Sequence, residues 1–210
     1  FLYIDLATFF PKCDRSVTYF AEVAHGLPQE VADLVALLFL EKEGKYDSAH
    51  GLGDEFKMHM GLLQGCVLSP SRAKLLLNTL VVAIRVHVRG FRLWQAQGRS
   101  VSQLVYCDDW LGFMESPEEL VRAWEIWDSW CLASGCKLGI VGAEKTAVAA
   151  VRFVNGKAMD APCPVLHTHA GVNVPHISWK EVYKHVGWPR RPDGDGSAAR
   201  AKVAAVVKSL

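Results

Sequence analysis

An α+β fold, an antiparallel sheet with helices packed on one face, is what this 210-residue sequence predicts. Three observations carry that expectation. Short apolar, β-prone runs at the chain start and before residue 107 each deliver an Asp to one end. Helical patterns lie between and after them. The resulting order is strand, helices, strands, helix, hairpin, helix, strands.

Phe1-Leu-Tyr-Ile-Asp-Leu has the composition of a strand buried on both faces. Helices are predicted over Ser16–His25 and Gln29–Lys42, separated by Gly26-Leu27-Pro28. In the second, Val31, Leu34, Val35, Leu38 and Phe39 form an apolar stripe at helical spacing. The stretch to Met60, with Gly44, Gly51 and Gly53, predicts short strands around a turn. A long helix follows from Ser69 to Arg89-Gly90.

Phe91–Trp94 and Val101–Tyr106 read as strands, and Leu111–Met114 as the return limb of a hairpin presenting Asp108-Asp109 at its turn. Ser116-Pro117-Glu118-Glu119 is a helix start, with Ser as N-cap, Pro at the first helical position and Glu at the third. Leu120, Trp124, Trp127 and Cys131 then share one face, as core packing, and Gly135 stops the helix. Strand-like pieces follow at 146–154 and 182–187. Pro189–Ser197 is a polar linker into a last helix.

Composition narrows the class. Half the residues are hydrophobic and seven are Trp, enough for one sizeable core. No apolar run approaches the roughly 20 residues of a membrane span. Val31–Leu40 is interrupted by Asp33, and neither a membrane partner nor a secretory signal is expected. The six Cys are read as reduced thiols of an intracellular protein, nuclear or cytoplasmic being left open. Net charge is +1, but the chain from Lys180 onward carries seven Lys/Arg against three Asp/Glu, a basic tail that suits phosphates or an ordinary solubilising surface. A chain opening on Phe1 inside strand-like sequence, and ending in a helix, is read as a fragment of a longer protein.

The chemistry lies in the carboxylates. Asp5, and Asp108-Asp109 within Tyr106-Cys-Asp-Asp, are delivered by separate strands to one edge. A two-metal phosphoryl-transfer site needs that, holding two divalent ions about 3.5–4 Å apart. Mg²⁺ prefers few carboxylates plus substrate phosphates. Carboxylates this close repel, and divalent ions reverse the resulting preference for protonation.

Five ordered segments now resemble one family. They are Tyr3-Ile-Asp5-Leu-Ala-Thr-Phe-Phe10, Gly61-Leu-Leu-Gln64-Gly65-Cys-Val-Leu-Ser69-Pro70, Tyr106-Cys-Asp108-Asp109, Gly135-Cys-Lys137 through Lys145-Thr146, and His185-Val186-Gly187. In this order they resemble the palm of a reverse transcriptase, most like the non-LTR retrotransposon and group II intron types. The resemblance implies a right-hand polymerase palm over residues 1–188 with partial fingers, then a linker and truncated thumb over 189–210. It implies RNA-templated DNA synthesis, with an RNA template, a DNA primer, dNTP and the remaining domains of a parent polyprotein as partners.

The same resemblance assigns roles. Asp5 and Asp108, with the Leu6 carbonyl, would bind two Mg²⁺ ions (or Mn²⁺), with Asp109 alongside. Phe10 would lie under the sugar and exclude a 2′-hydroxyl, whereas Phe9 reads as core. Gln64 and Gly65 would line the nucleotide, glycine allowing close backbone approach. Lys145 would stand near the triphosphate as a proton donor, with Lys137 competing because the interval from Gly135 is long. His185, Val186 and Gly187 would form the primer grip, and Asn78 is either structural or substrate-facing.

Two positions depart from the pattern, Leu63 before Gln64 and Pro11 after Phe10, and basic finger strands upstream of Asp5 are missing from the sequence. The fragment alone is therefore expected to be feeble or inactive. Rival readings are a retired, non-catalytic nucleic-acid-binding scaffold and a palm-fold nucleotide cyclase suggested by Gly51-Leu-Gly-Asp-Glu-Phe56. A viral RNA polymerase would carry an acidic residue in place of Phe10. Cys163, His167, His169 and His176 fit no standard zinc-finger spacing.

Overall fold

The computed structural model describes residues 1–40, 42–49, 51–63, 65–92, 98–140, 145–185, 188–193 and 195–208. In chain order the elements are β1 (Leu2–Ala7), α1 (Phe9–Lys12), α2 (Arg15–Ala24), α3 (Gln29–Phe39), β2 (Lys42–Ser48), β3 (Gly51–Met58) and α4 (Ser69–His87). Then come β4 (Phe91–Arg92), β5 (Ser100–Val101), β6 (Gln103–Tyr106), β7 (Asp109–Gly112) and α5 (Pro117–Ser134). Last are β8 (Lys137–Leu138), β9 (Ala147–Val148), β10 (Val151–Val154), β11 (Lys157–Asp160), β12 (Tyr183–His185), β13 (Trp188–Arg190) and α6 (Ser197–Lys208). This is a mixed fold of helices and antiparallel sheets.

Two compact units divide the chain: Phe1–Ala7 with Ala83–Ser129 and Leu138–Leu210, and Thr8–Val82 with Trp130–Lys137. The first is built on a sheet of order β6-β7-β1-β8, with β9 also pairing β1. Alternation along β1 assigns its side chains to two faces. Ile4 stands opposite Trp110, which meets Trp127 of α5 edge-on at 5.3 Å between ring centres. Tyr3 stands opposite Leu111, and its ring stacks on Tyr183 at 4.1 Å. The strand is buried on both faces because α5 covers one and a cluster of Tyr3, Leu111, Ala147, Ala149 and Tyr183 fills the other. Burial pushes the Tyr3 phenol far above its usual value, so that side chain stays neutral.

In the second unit α2 starts at Asp14, whose Oδ1 accepts from the Ser16 and Val17 amides at 2.8 and 3.1 Å. Arg15 donates to the carbonyls of Gly61 (2.9 Å), Phe39 (2.6 Å) and Met60 (3.3 Å), gathering three chain segments. Glu22 and Arg72 form a fully buried ion pair, with the guanidinium 4.3 Å over the Phe39 ring. β2 and β3 form the hairpin expected around the glycines.

Several expected elements differ. The helix from Gln29 stops at Phe39, three residues early, because Lys42 is drawn into the ladder opposite Met58. Its apolar stripe is covered only in part: Val31, Leu34 and Leu38 are exposed and Val35 is half-buried, while Phe39 at its end is buried, as is Ala32 off the stripe. The Tyr19 hydroxyl of α2 donates to Asp33 Oδ1 of α3 at 2.7 Å. Glu119 of the N-terminal turn of α5 accepts from Glu115 N rather than Ser116 N, although Ser116 Oγ accepts from Glu119 N at 3.3 Å as expected.

The return limb of the hairpin begins at Asp109 instead of Leu111, since a two-residue turn already brings Asp109 opposite Tyr106. Only Phe91–Arg92 of the expected Phe91–Trp94 strand is described. Pro189 and Arg190, expected in a linker, pair with Lys184 and Tyr183, so the hairpin spans the 188/189 boundary. No helix among the described residues is long and apolar enough to cross a membrane.

Candidate active site

β1 carries its apolar residues inward up to Ile4 and then presents Asp5, half-buried, near its C-terminal end. β7 runs antiparallel to it, so its first residue, Asp109, falls in register opposite Asp5. Because Asp5 follows Tyr3 by two and Asp109 precedes Leu111 by two, both carboxylates share the Tyr3–Leu111 face. Cys107 and Asp108 make the turn joining β6 to β7, and Asp108 is exposed. Cys107 adopts φ 52, a left-handed conformation that non-glycine residues rarely take.

Asp5 is held by Gly139, Lys145 and Thr146. The Gly139 amide donates to the Asp5 carbonyl at 2.8 Å, and the Asp5 amide donates to Thr146 Oγ1 at 3.2 Å. Thr146, fully buried, also reaches the Asp5 carbonyl at 3.3 Å, and its amide closes on Gly139 O at 2.7 Å. Lys145 Nζ lies 2.9 Å from Asp5 Oδ2. A Cβ on Gly139 would collide with that same carboxylate oxygen. The site thus sets Asp5, paired with the Lys145 ammonium, in register with Asp109 and next to the Asp108 turn in the central sheet.

The match to a family model decides what this arrangement belongs to: residues 1–181 match the model of the reverse transcriptase (RNA-dependent DNA polymerase) family. The chain belongs to the reverse transcriptase family. No curated protein matches it. Reverse transcriptases act in nucleotidyl transfer on nucleic acid and dNTP substrates and generally use divalent metals.

The residues fit such ions in kind. Asp5, Asp108 and Asp109 offer only hard carboxylate oxygens, the donors Mg²⁺ takes, and the backbone puts Asp5 beside the Asp108 turn. Among the described residues no three His, Cys, Asp or Glu groups are gathered tightly enough to hold a metal, and Lys145 engages Asp5 directly. Leu6 is a buried β1 residue, its side chain in the core.

The other reverse transcriptase motifs fall as follows. Phe10 is a half-buried residue of α1, its ring edge-on to buried Phe9 at 5.7 Å. Its carbonyl accepts from the Leu62 amide at 2.7 Å, so the structure brings together α1 and the segment leading to Gly65. Gln64 lies outside the described residues. Gly65 has φ +86, and a Cβ there would meet nothing within 4 Å. Within the protein itself, what favours glycine at 65 is the backbone angle. Gly61 is where close approach occurs: at φ +84 its Cβ would lie 2.5 Å from the Pro11 carbonyl oxygen.

Lys137 is an exposed residue of β8. Asn78 makes a structural contact, Nδ2 lying 2.7 Å from His25 Nε2. His185 ends β12 in register with Trp188, while Val186 and Gly187 lie outside the described residues. His169 Nδ1 pairs with Asp128 Oδ2, and His167 bridges to Asn173.

Sequence reasoning missed Gly139 and the role of Thr146. The interval to Lys145 was counted from Gly135, which only ends α5 at φ +72; the glycine packed on Asp5 is Gly139. Nothing in Lys137-Leu-Gly139-Ile marks it, because the requirement arises from a carboxylate far away in sequence.

Proposed function

We propose that this protein performs RNA-templated DNA synthesis, joining a primer 3′-hydroxyl to the α-phosphate of a dNTP and releasing pyrophosphate, as part of a larger retroelement protein. The observation that supports this reading most is the register of Asp5 with Asp109 beside the Asp108 turn, with Lys145 on Asp5. Asp5 and Asp108, with the Leu6 carbonyl, would hold two Mg²⁺ ions, whose chemistry there would be activation of the attacking oxygen and charge offset on the leaving one. Lys145, released from Asp5, protonates the departing pyrophosphate in this reading. Phe10 bars a ribose 2′-hydroxyl, Gln64 and Gly65 line the nucleotide, and His185, Val186 and Gly187 seat the primer end. Base pairing with the template supplies sequence choice, so base-edge readers are not required.

A second reading, a non-catalytic nucleic-acid-binding scaffold, gains from one observation. Asp5 is already neutralised by Lys145, and no three-donor metal cluster exists among the described residues.

Primer extension on an RNA template, with the full parent reading frame and Mg²⁺, separates the two. The polymerase reading expects dNTP incorporation, its loss in Asp108→Ala, and ribonucleotide entry in Phe10→Ala. Binding of primer-template without extension, or an Asp108→Ala protein as active as the parent, overturns it.

A further inference from the structure

The two edges of β1 are not held alike. On the side of β9, Phe1 exchanges both backbone hydrogen bonds with Ala149, its nitrogen donating at 2.8 Å and its carbonyl accepting at 3.0 Å. Backbone polar groups alternate between the two edges of a strand, so those of Phe1, Tyr3 and Asp5 all point away from β7. Asp5 and Asp109 are therefore a non-hydrogen-bonded pair of the β1–β7 ladder, the kind in which side chains come closest. The same geometry leaves the Asp5 backbone to be held from the other edge.

On that edge the regular ladder stops one pair short. Leu2 pairs with Val148 and Tyr3 with Ala147, a register that would continue to Lys145 opposite Asp5. Instead the Lys145 side chain goes to the Asp5 carboxylate, and the next residue serves the backbone. The Asp5 amide donates to Thr146 Oγ1 at 3.2 Å, and that hydroxyl donates to the Asp5 carbonyl at 3.3 Å. A hydroxyl has one donor and two acceptor sites, so a single side chain can do both. Thr146 is fully buried, its amide is tied to the Gly139 carbonyl at 2.7 Å, and its β-branch restricts χ1. The hydroxyl is thus held in one direction.

We propose that Thr146 is a positioning residue for nucleotidyl transfer: its hydroxyl completes the β1 edge at Asp5 and so fixes that carboxylate in the site. The inference rests on the polymerase reading of the carboxylates. Valine has nearly the shape of threonine but can neither accept nor donate, so Thr146→Val removes the partner of the Asp5 amide while keeping the packing. Misplacing a catalytic group by about 1 Å costs on the order of 10²-fold in rate. Serine keeps the hydroxyl and loses only the branch that aims it.

The test compares Thr146→Val and Thr146→Ser with the parent, each in the full reading frame. Primer extension with Mg²⁺ gives kcat and KM, and hydrogen–deuterium exchange read by mass spectrometry follows the β1 peptides. In Thr146→Val, kcat is expected to fall about tenfold or more while the KM for dNTP stays within about twofold. Thr146→Ser is expected to restore most of the rate, and β1 to exchange faster in the valine protein than in the other two. Undiminished turnover in Thr146→Val would overturn the proposal, as would a loss carried by KM or a serine variant as impaired as the valine one. If Thr146→Val does not fold, Thr146→Ala takes its place and must fall below Thr146→Ser in kcat; equal rates overturn the assignment. A parent that binds primer-template without extending it sinks the polymerase reading instead. The exchange measurement needs no activity, and equal β1 exchange in the parent and the valine protein would refute the hold on Asp5 by itself.

Discussion

Lys145 places its ammonium nitrogen 2.9 Å from Asp5 Oδ2, on the carboxylate that stands opposite Asp109 across the β1–β7 ladder. Like charges directly opposed on neighbouring strands destabilise a sheet, so the lysine relieves a repulsion that the motif itself creates. A divalent ion at Asp5 would have to take over that duty. Lys145→Met is expected to lower stability by about 0.5–1 kcal/mol in metal-free buffer, the range of a partly exposed ion pair. Urea denaturation measures it, and added Mg²⁺ should narrow the gap between variant and parent. A gap that Mg²⁺ leaves unchanged would argue against metal binding at Asp5.

Gly139→Ala puts a methyl group onto the Asp5 carboxylate. The Asp5 side chain must rotate away or the backbone at residue 139 must withdraw. Overpacking of this kind costs about 1–3 kcal/mol. Primer extension by the full reading frame should fall by about tenfold or more, as displacement of a positioned catalytic group does. An alanine variant with undiminished extension would show that Asp5 does not need its present orientation.

Two glycines of one motif should respond differently to the same substitution. Gly65→Ala meets only the strain of a positive φ, roughly 1–2 kcal/mol, with open space around the new methyl. Gly61→Ala meets that strain and also the Pro11 backbone at 2.5 Å. Its cost should be larger, about 3 kcal/mol or more when overpacking is added. Equal midpoints in a denaturant titration would contradict the described contact at Pro11.

Arg72→Ala leaves Glu22 as an uncompensated buried carboxylate and removes the cation from the Phe39 ring. Breaking one side of a buried pair costs about 3–5 kcal/mol. Glu22→Gln should cost less, because a neutral amide still accepts from the guanidinium. Thermal unfolding of the two variants gives the order directly.

Much of the site could be read from the sequence because its pieces are local. The apolar run into Asp5, the Tyr106-Cys-Asp-Asp hairpin, and the Ser116-Pro117 helix start each encode their own geometry within a few residues. Asn155-Gly156 was equally legible and went unread: both residues take positive φ, the signature of a tight hairpin, and they join β10 to β11. Other features could not be read. The exposure of Leu34 and Leu38 depends on which partner α3 meets, and its apolar pattern alone gives only periodicity. The need for glycine at 139 depends on a side chain more than a hundred residues earlier. Arg15 reaching three carbonyls likewise follows from tertiary placement.

Alternation along β1 makes this centre sensitive to counting as well as to chemistry. Removing a single residue between Leu2 and Asp5 would leave the composition of the strand almost unchanged, yet it would turn the acid through half a revolution, into the tryptophans beneath α5. Point substitutions at Leu2 or Ile4 that preserve bulk should be forgiven, whereas an in-frame codon loss there should abolish folding outright.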